Sequence, residues 1–198
     1  MLNNLLICLS KLDKVNYRFI EYLIQNCQDD GFFVFDNNKQ YFIFGLEDEV
    51  KNHVILKIFN DLFLNPLTFR KGGDAAVFRI FSYNHVDVTS SLKVQLSQVF
   101  VDNLYNLRDA INSNLIHNLR LLNCEIAMSL YLHAKGTANY SEQDIRRMVF
   151  DNQTTRFSNI VERKLKPALV LISKKLGKST YYFRNKINGV SIICVSIT

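Results

Sequence analysis

Arg156, Asn159 and Arg163 lie in the basic run T-R-F-S-N-I-V-E-R-K-L-K-P-A-L-V-L-I-S-K-K-L, spaced so that one helical face carries all three. At about 100° per residue, Phe157, Val161, Leu165, Ala168 and Ile172 form an apolar stripe, and the three polar residues fall roughly opposite, joined by Lys166 and Lys174. A guanidinium offers two parallel N–H donors that match guanine O6 and N7. A carboxamide matches adenine N6 and N7. Lysines beside them suit phosphate oxygens, which position a protein on nucleic acid without reading its sequence. Lys164 projects near the apolar stripe and is the weakest candidate of the run. Pro167 lacks a backbone donor and is expected to kink the helix around Arg163, which leaves the N-terminal half best placed to enter a groove. Against this stands a plain alternative, since a basic helix face taken by itself is more often a solvated surface.

The residue pattern offers little other chemistry. His53, His85, His117 and His133 show no H-E-x-x-H or paired metal spacing, and no cysteine stands close enough to complete a zinc site. Ser129 is not in a G-x-S-x-G elbow, and the chain has neither a P-loop nor G-x-G-x-x-G. Gly72-Gly73 reads as a hairpin tip and Glu47-Asp48-Glu49 as acids at a helix start, where the dipole favours them. Tyr140 or Tyr181 as a strand-nicking nucleophile lacks a histidine pair. The expectation is a binding protein: no enzyme, no metal, no cofactor.

The elements around the basic helix follow from Tyr140 onward. Ser141, with Asp144 three residues on, starts a short helix as a capping-box pair. The helix over 154–176 comes next, with Gly177 as its stop. Tyr181-Tyr182-Phe183 opens a strand, and Asn188-Gly189 is the strongest hairpin-turn signal in the chain. Lys178, Arg184 and Lys186 extend the basic surface onto this hairpin, where its tip can touch phosphates or a minor groove. Helix, helix, hairpin is the order of a winged helix. From Ser141 to Thr198 there are 11 Lys+Arg and 4 Asp+Glu, a balance of +7, whereas the other 140 residues hold 13 and 14. The net +6 of the chain thus arises in this segment, and nucleic acid is the natural partner of charge so concentrated.

Earlier residues suggest a similar unit. A helix over 14–28 carries Val15, Phe19, Tyr22 and Leu23 and stops at Asp29-Asp30-Gly31. Phe32–Phe35 and Tyr41–Phe44 flank a polar turn and read as an aromatic hairpin. A helix with Val50, Val54, Ile58 and Leu62 on one face ends before Pro66. Leu67–Phe69 and Val77–Tyr83 read as a second hairpin. Ser90 or Ser91 is expected to cap a long helix to about Asn112, and another is expected from Leu115 to Ala134, with Gly136 ending it. The fold class is therefore α+β and helix-rich: two tandem winged-helix domains with β-hairpin wings. The first spans residues 1–113 and serves dimerisation or accessory DNA contact, and the second spans 114–198 and binds DNA.

At 198 residues the chain has room for two domains of about 100 residues. Two Pro and seven Gly leave no linker or low-complexity run. No apolar run nears the length of about 18 residues that a membrane span needs. Met1–Ser10 is apolar without basic flanks or a small-residue cleavage site, which argues against a secretory signal. Cys8, Cys27, Cys124 and Cys194 are scattered and read as reduced thiols acting as small hydrophobes, consistent with the cytoplasm and with no membrane partner.

Over Leu115–Ser173 the chain resembles the plasmid replication initiator (Rep) family built from two tandem winged helices. The residues that carry the resemblance are I-A-M-S-L-Y-L-H-A-K-G, S-E-Q-D-I-R-R-M-V and R-F-S-N-I-V-E-R-K-L-K-P-A-L-V-L-I-S; the first half fits more loosely through V-F-R-I-F-S. The resemblance implies a protein that binds double-stranded origin repeats of a plasmid or other mobile element and recruits host replication proteins. It also implies that the second domain reads the major groove while the first contacts DNA or makes a homodimer. By motif position, reading falls on Arg156, Asn159 and Arg163, with Lys166 supporting. A transcriptional repressor bound to an operator through the same two domains, and a basic protein-interaction domain, are the competing readings.

Overall fold

The computed structural model describes residues 1–36, 52–71, 74–87, 91–134, 136–151, 155–187 and 190–198. Tyr41–Phe44, Glu47–Glu49, Gly72-Gly73, Ser90 and Asn188-Gly189 lie outside them. The chain is mixed α and β with small antiparallel sheets, and it divides into two compact units. One comprises Met1–Phe69 with Ala75–Ile116, the other Arg70–Asp74 with His117–Thr198. Among the described residues, no helix is long and apolar enough to cross a membrane.

The first unit opens with α1 (Leu2–Ser10) and α2 (Lys14–Asn26). All of Leu5–Ser10 is buried, which accounts for an apolar run with no amphipathic period. Asp13 caps α2, its Oδ1 accepting from the Val15 and Asn16 amides at 2.9 and 3.0 Å. The far end of α2 is closed from outside the helix. Arg108 donates to the carbonyls of Ile24 and Cys27 and pairs with Asp29 at 2.8 Å. These are carbonyls that a helix C-terminus leaves without an internal partner.

Then follow β1 (Phe32–Asp36), α3 (Asn52–Leu64), β2 (Leu67–Lys71), β3 (Asp74–Phe78), β4 (Phe81–Asp87), β5 (Ser91–Leu96), α4 (Gln98–Asp102) and α5 (Leu104–Asn112). Strands β2 and β3 form one pair, and the three-stranded sheet runs β1-β5-β4. Two expectations are corrected here. The run Val77–Tyr83 is not one strand: β3 pairs with β2, whereas β4 pairs with β5. The long helix expected from Ser90 or Ser91 is absent from its first turns, because Ser91–Leu96 is a strand that pairs with both β1 and β4. Leu92, Val94 and Leu96 are buried and alternate with Lys93 and Gln95, a two-residue period that overrides the serine cap signal. The helical part resumes only as α4 and α5.

In the second unit α6 (Leu115–Leu122) and α7 (Glu125–His133) replace the single helix expected over 115–134. Asn123 adopts φ 44° and Cys124 is extended, which breaks the ladder between them. Asn tolerates the left-handed region better than most residues. Next come β6 (Gly136–Ser141), α8 (Glu142–Met148), α9 (Phe157–Ile160), a π-helical turn (Val161–Leu165), α10 (Lys166–Leu176), β7 (Thr180–Ile187) and β8 (Val190–Ile197). Strand β6 had no apolar alternation to announce it. It pairs with β8 from Gly136↔Ile197 to Ser141↔Ile192, and the sheet runs β6-β8-β7. The first unit's sheet has the same order: a strand between helices pairs with the last strand of the hairpin that follows.

Candidate nucleic-acid interface

Phe157–Leu176 is helical throughout, with right-handed backbone at Ile160, Val161, Leu165 and Lys166 across the junctions. Its middle, Val161–Leu165, is a π-helical turn. Pro167 would leave the Arg163 carbonyl without an i+4 donor and press its ring on that carbonyl. The wider turn at Val161–Leu165 takes up this mismatch, and single π turns of this sort recur at functional sites. Ile160, Val161, Leu165, Ala168, Leu169 and Ile172 are buried, and α10 packs on α7 and β7. Gly177 ends the helix at φ 66°, its N–H donating to the Ser173 carbonyl at 3.0 Å.

This core anchors the helix with Arg156, Asn159 and Arg163 exposed. Arg156 is the residue just before α9, and Asn159 and Arg163 follow on the same side. Lys174 and Lys178 are also exposed. No side-chain hydrogen bond or ion pair joins any of these five to another described residue. Polar heads so placed are free to meet a ligand.

Three of the other predicted cations, Lys164, Lys166 and Arg184, are engaged. Lys164, the weakest candidate of the run, has its Nζ 3.4 Å from Asp151 Oδ1 and 3.5 Å from the Val149 carbonyl, half-buried against the loop before the helix. Lys166 pairs with Glu162 at 2.6 Å and stands 5.8 Å from the Tyr182 ring centroid. The Glu162 carboxylate, with the Tyr182 hydroxyl, holds the Lys166 ammonium above its ordinary range. Arg184, on β7, places its guanidinium carbon 5.4 Å from the Phe157 ring centroid. Lys186 pairs in register with Ser191 near the hairpin tip.

Arg146, which the sequence did not single out, is the hub beneath this surface. Only 11% of its side chain is exposed. It bonds Glu142 Oε1 at 2.7 Å, Asp151 Oδ2 at 2.7 Å and the Thr155 carbonyl at 2.9 Å, and lies 5.6 Å from the Phe157 ring centroid. It thereby ties α8 to the loop and to the first residues of α9. Burial pushes the Asp151 carboxyl up, but bonds from Thr155, Arg146 and Lys164 outweigh it and hold the group below 3.8. The start of α8 is a capping box, with the Asp144 amide on Ser141 Oγ and the Ser141 amide on Asp144 Oδ2, both 3.1 Å. The i to i+4 spacing of Glu142 and Arg146 signals that one pair in the sequence, but not the contacts with Asp151 and Thr155. Arg147, one residue on, is 66% exposed and adds a cation at the end of α8, 3.7 Å from Asp144.

Of the histidines, His117 is exposed and His133 Nδ1 lies 2.8 Å from the Ser129 carbonyl, one turn back on α7. Among the described residues no group of three or more His, Cys, Asp or Glu side chains is gathered as a metal site. No family model matches this chain, and no curated protein matches it.

Proposed function

We propose that the chain is a sequence-specific DNA-binding protein of the replication-initiator type, built as two winged helices in tandem. The observation that carries the reading is the exposed trio Arg156, Asn159 and Arg163 on a helix whose opposite side is core. The recurrence of one sheet order in both units, β1-β5-β4 and β6-β8-β7, supports the tandem architecture. In this reading α9 and the π turn enter a major groove, and the two arginines and Asn159 meet base edges. Lys174 and Lys178 neutralise phosphates, and the β7–β8 hairpin lies along the backbone as a wing carrying Arg184 and Lys186. Lys166 supports from the edge, once it exchanges Glu162 for phosphate. The first unit supplies an accessory DNA contact or a homodimer interface, and host replication proteins are the further partners. The protein acts by binding, without catalysis.

Footprinting of the purified chain on the DNA around its own gene tests this. The initiator reading predicts protection of several short repeats beside an AT-rich stretch. A single operator-like footprint would favour a repressor, and no footprint would remove specific binding altogether.

A further inference from the structure

The sheet of the second unit has two unlike faces. On one, Thr180 donates to the Leu169 carbonyl at 3.2 Å, Tyr140 donates to the His133 carbonyl at 2.7 Å, and Tyr182 and Arg184 meet Lys166 and Phe157. That face belongs to the helices. The strand register puts Tyr181, Phe183 and Asn185 of β7 on the other face, in rows with Thr137 and Asn139 of β6 across β8. The Thr137–Ser196 hydroxyl contact of 2.8 Å confirms the row shared with Tyr181.

On this second face Tyr181 and Phe183 are 50% and 49% exposed. Their rings lie nearly parallel, 12° apart, with centroids 6.4 Å from each other. Thr137, Asn139 and Asn185 are exposed around them. None of the five carries a charge, and Lys178 stands exposed just before β7. Two half-exposed aromatics at i and i+2 of an edge strand are costly to leave in water. Flat rings in series, a polar and uncharged surround, and a cationic approach are the parts of a stacking surface for unpaired bases. A protein partner would match an apolar patch of this kind with apolar side chains, but it gains nothing from the parallel ring geometry or from the +7 balance of the segment.

We propose that the β7 edge of this face, where Tyr181 and Phe183 stand half exposed beside the buried Cys194 and Ser196 of β8, binds single-stranded nucleic acid, with one base stacked on Tyr181, the next on Phe183, and Lys178 on the phosphates between or beside them. Stacking and phosphate pairing both ignore the 2′-hydroxyl, so the site takes DNA and RNA strands alike. This goes beyond the reading of the helix and shares only Lys178 with it.

The chain holds no tryptophan, so Phe183→Trp supplies a single reporter at the site. Titration of this variant with dT and rU oligomers of equal length predicts quenching by both, at concentrations within a few-fold of each other. In the otherwise native chain, Tyr181→Ser with Phe183→Ser is expected to weaken both oligomers about tenfold or more while leaving circular dichroism and melting unchanged. Unquenched tryptophan, or unchanged affinity of the double variant, overturns the site. Binding of only one sugar type overturns the indifference to the 2′-hydroxyl and with it the stacking-only account. A duplex titration run beside these separates the two proposals. Loss of duplex specificity with single-strand binding intact sinks the helix reading alone, and the reverse sinks only this one.

Discussion

Arg184 of the hairpin strand lies over the ring of Phe157, the first residue of the exposed basic helix, with the guanidinium carbon 5.4 Å from the centroid. The same ring has Arg146 at 5.6 Å from below the helix start. One aromatic side chain thus touches the loop hub, the helix start and the hairpin strand. A double-mutant cycle with Phe157→Leu and Arg184→Met should give a coupling of about 0.5–1 kcal/mol in stability. Duplex affinity should fall several-fold in Phe157→Leu even though that side chain touches no DNA. Additive stability effects and unchanged affinity would mean the contact is incidental.

Arg163→Ala is expected to cost about 1–3 kcal/mol of affinity for the cognate duplex and to relax preference at the base it reads. Lys174→Ala should weaken cognate and scrambled duplexes alike, and it should lower the slope of log affinity against log salt by about one. Equilibrium titrations of both variants against both duplexes check the contrast.

Lys164→Ala should do the opposite. Its ammonium serves Asp151 and the Val149 carbonyl, so removal should lower the melting temperature by several degrees and leave duplex affinity within about twofold. A loss of affinity without a loss of stability would make Lys164 a DNA contact instead.

Acid should act on the second unit through Asp144 and Asp151. Ser141, through its hydroxyl and amide, holds Asp144 below 3.8, and Asp151 is held below the same value against its own burial. A carboxylate whose folded value is depressed adds stability that is present above its unfolded value and is lost as pH falls through the folded one. Melting temperature should therefore be flat from pH 7 to about pH 4 as far as these groups are concerned, and drop below it. In Asp151→Asn the acid drop should shrink while stability at neutral pH is lower. An unaltered acid limb in that variant would remove Asp151 from the account.

Gly31 offers a test of the first unit. Its φ is 82°, and an added Cβ would meet Val101 Cγ2 at 2.7 Å and Leu96 Cβ at 3.0 Å. Gly31→Ala should cost more than about 1 kcal/mol by chemical denaturation, from strain and from the close approach together.

The basic helix, its apolar stripe, the Gly177 stop and the Ser141–Asp144 capping box were legible because each rests on local spacing. Strand β6 was not, since Gly136–Ser141 carries no apolar alternation and becomes a strand only by pairing with β8, more than fifty residues away. Strand β5 departs from the expected helix for a different reason. Its Leu92, Val94 and Leu96 alternation was present, but a serine at the start of a long polar-apolar stretch suggested a helix cap. The exposure of Arg156, Asn159 and Arg163 follows from helical phase, whereas the engagement of Lys164 depends on Asp151 folding back beneath the helix, which no periodicity encodes. Arg146 was hidden for the same reason: two of its partners, Asp151 and Thr155, sit in a loop.

The most direct measurement is the affinity of the purified chain for a fluorescent duplex from around its own gene and for a scrambled duplex, native chain against Arg163→Ala, over a salt series. The account predicts tight binding of the native duplex that weakens steeply with salt, and near-equal binding of both duplexes once Arg163 is gone. Equal, weak binding of both duplexes by the unaltered chain would contradict it, leaving the exposed face of α9 as ordinary basic surface.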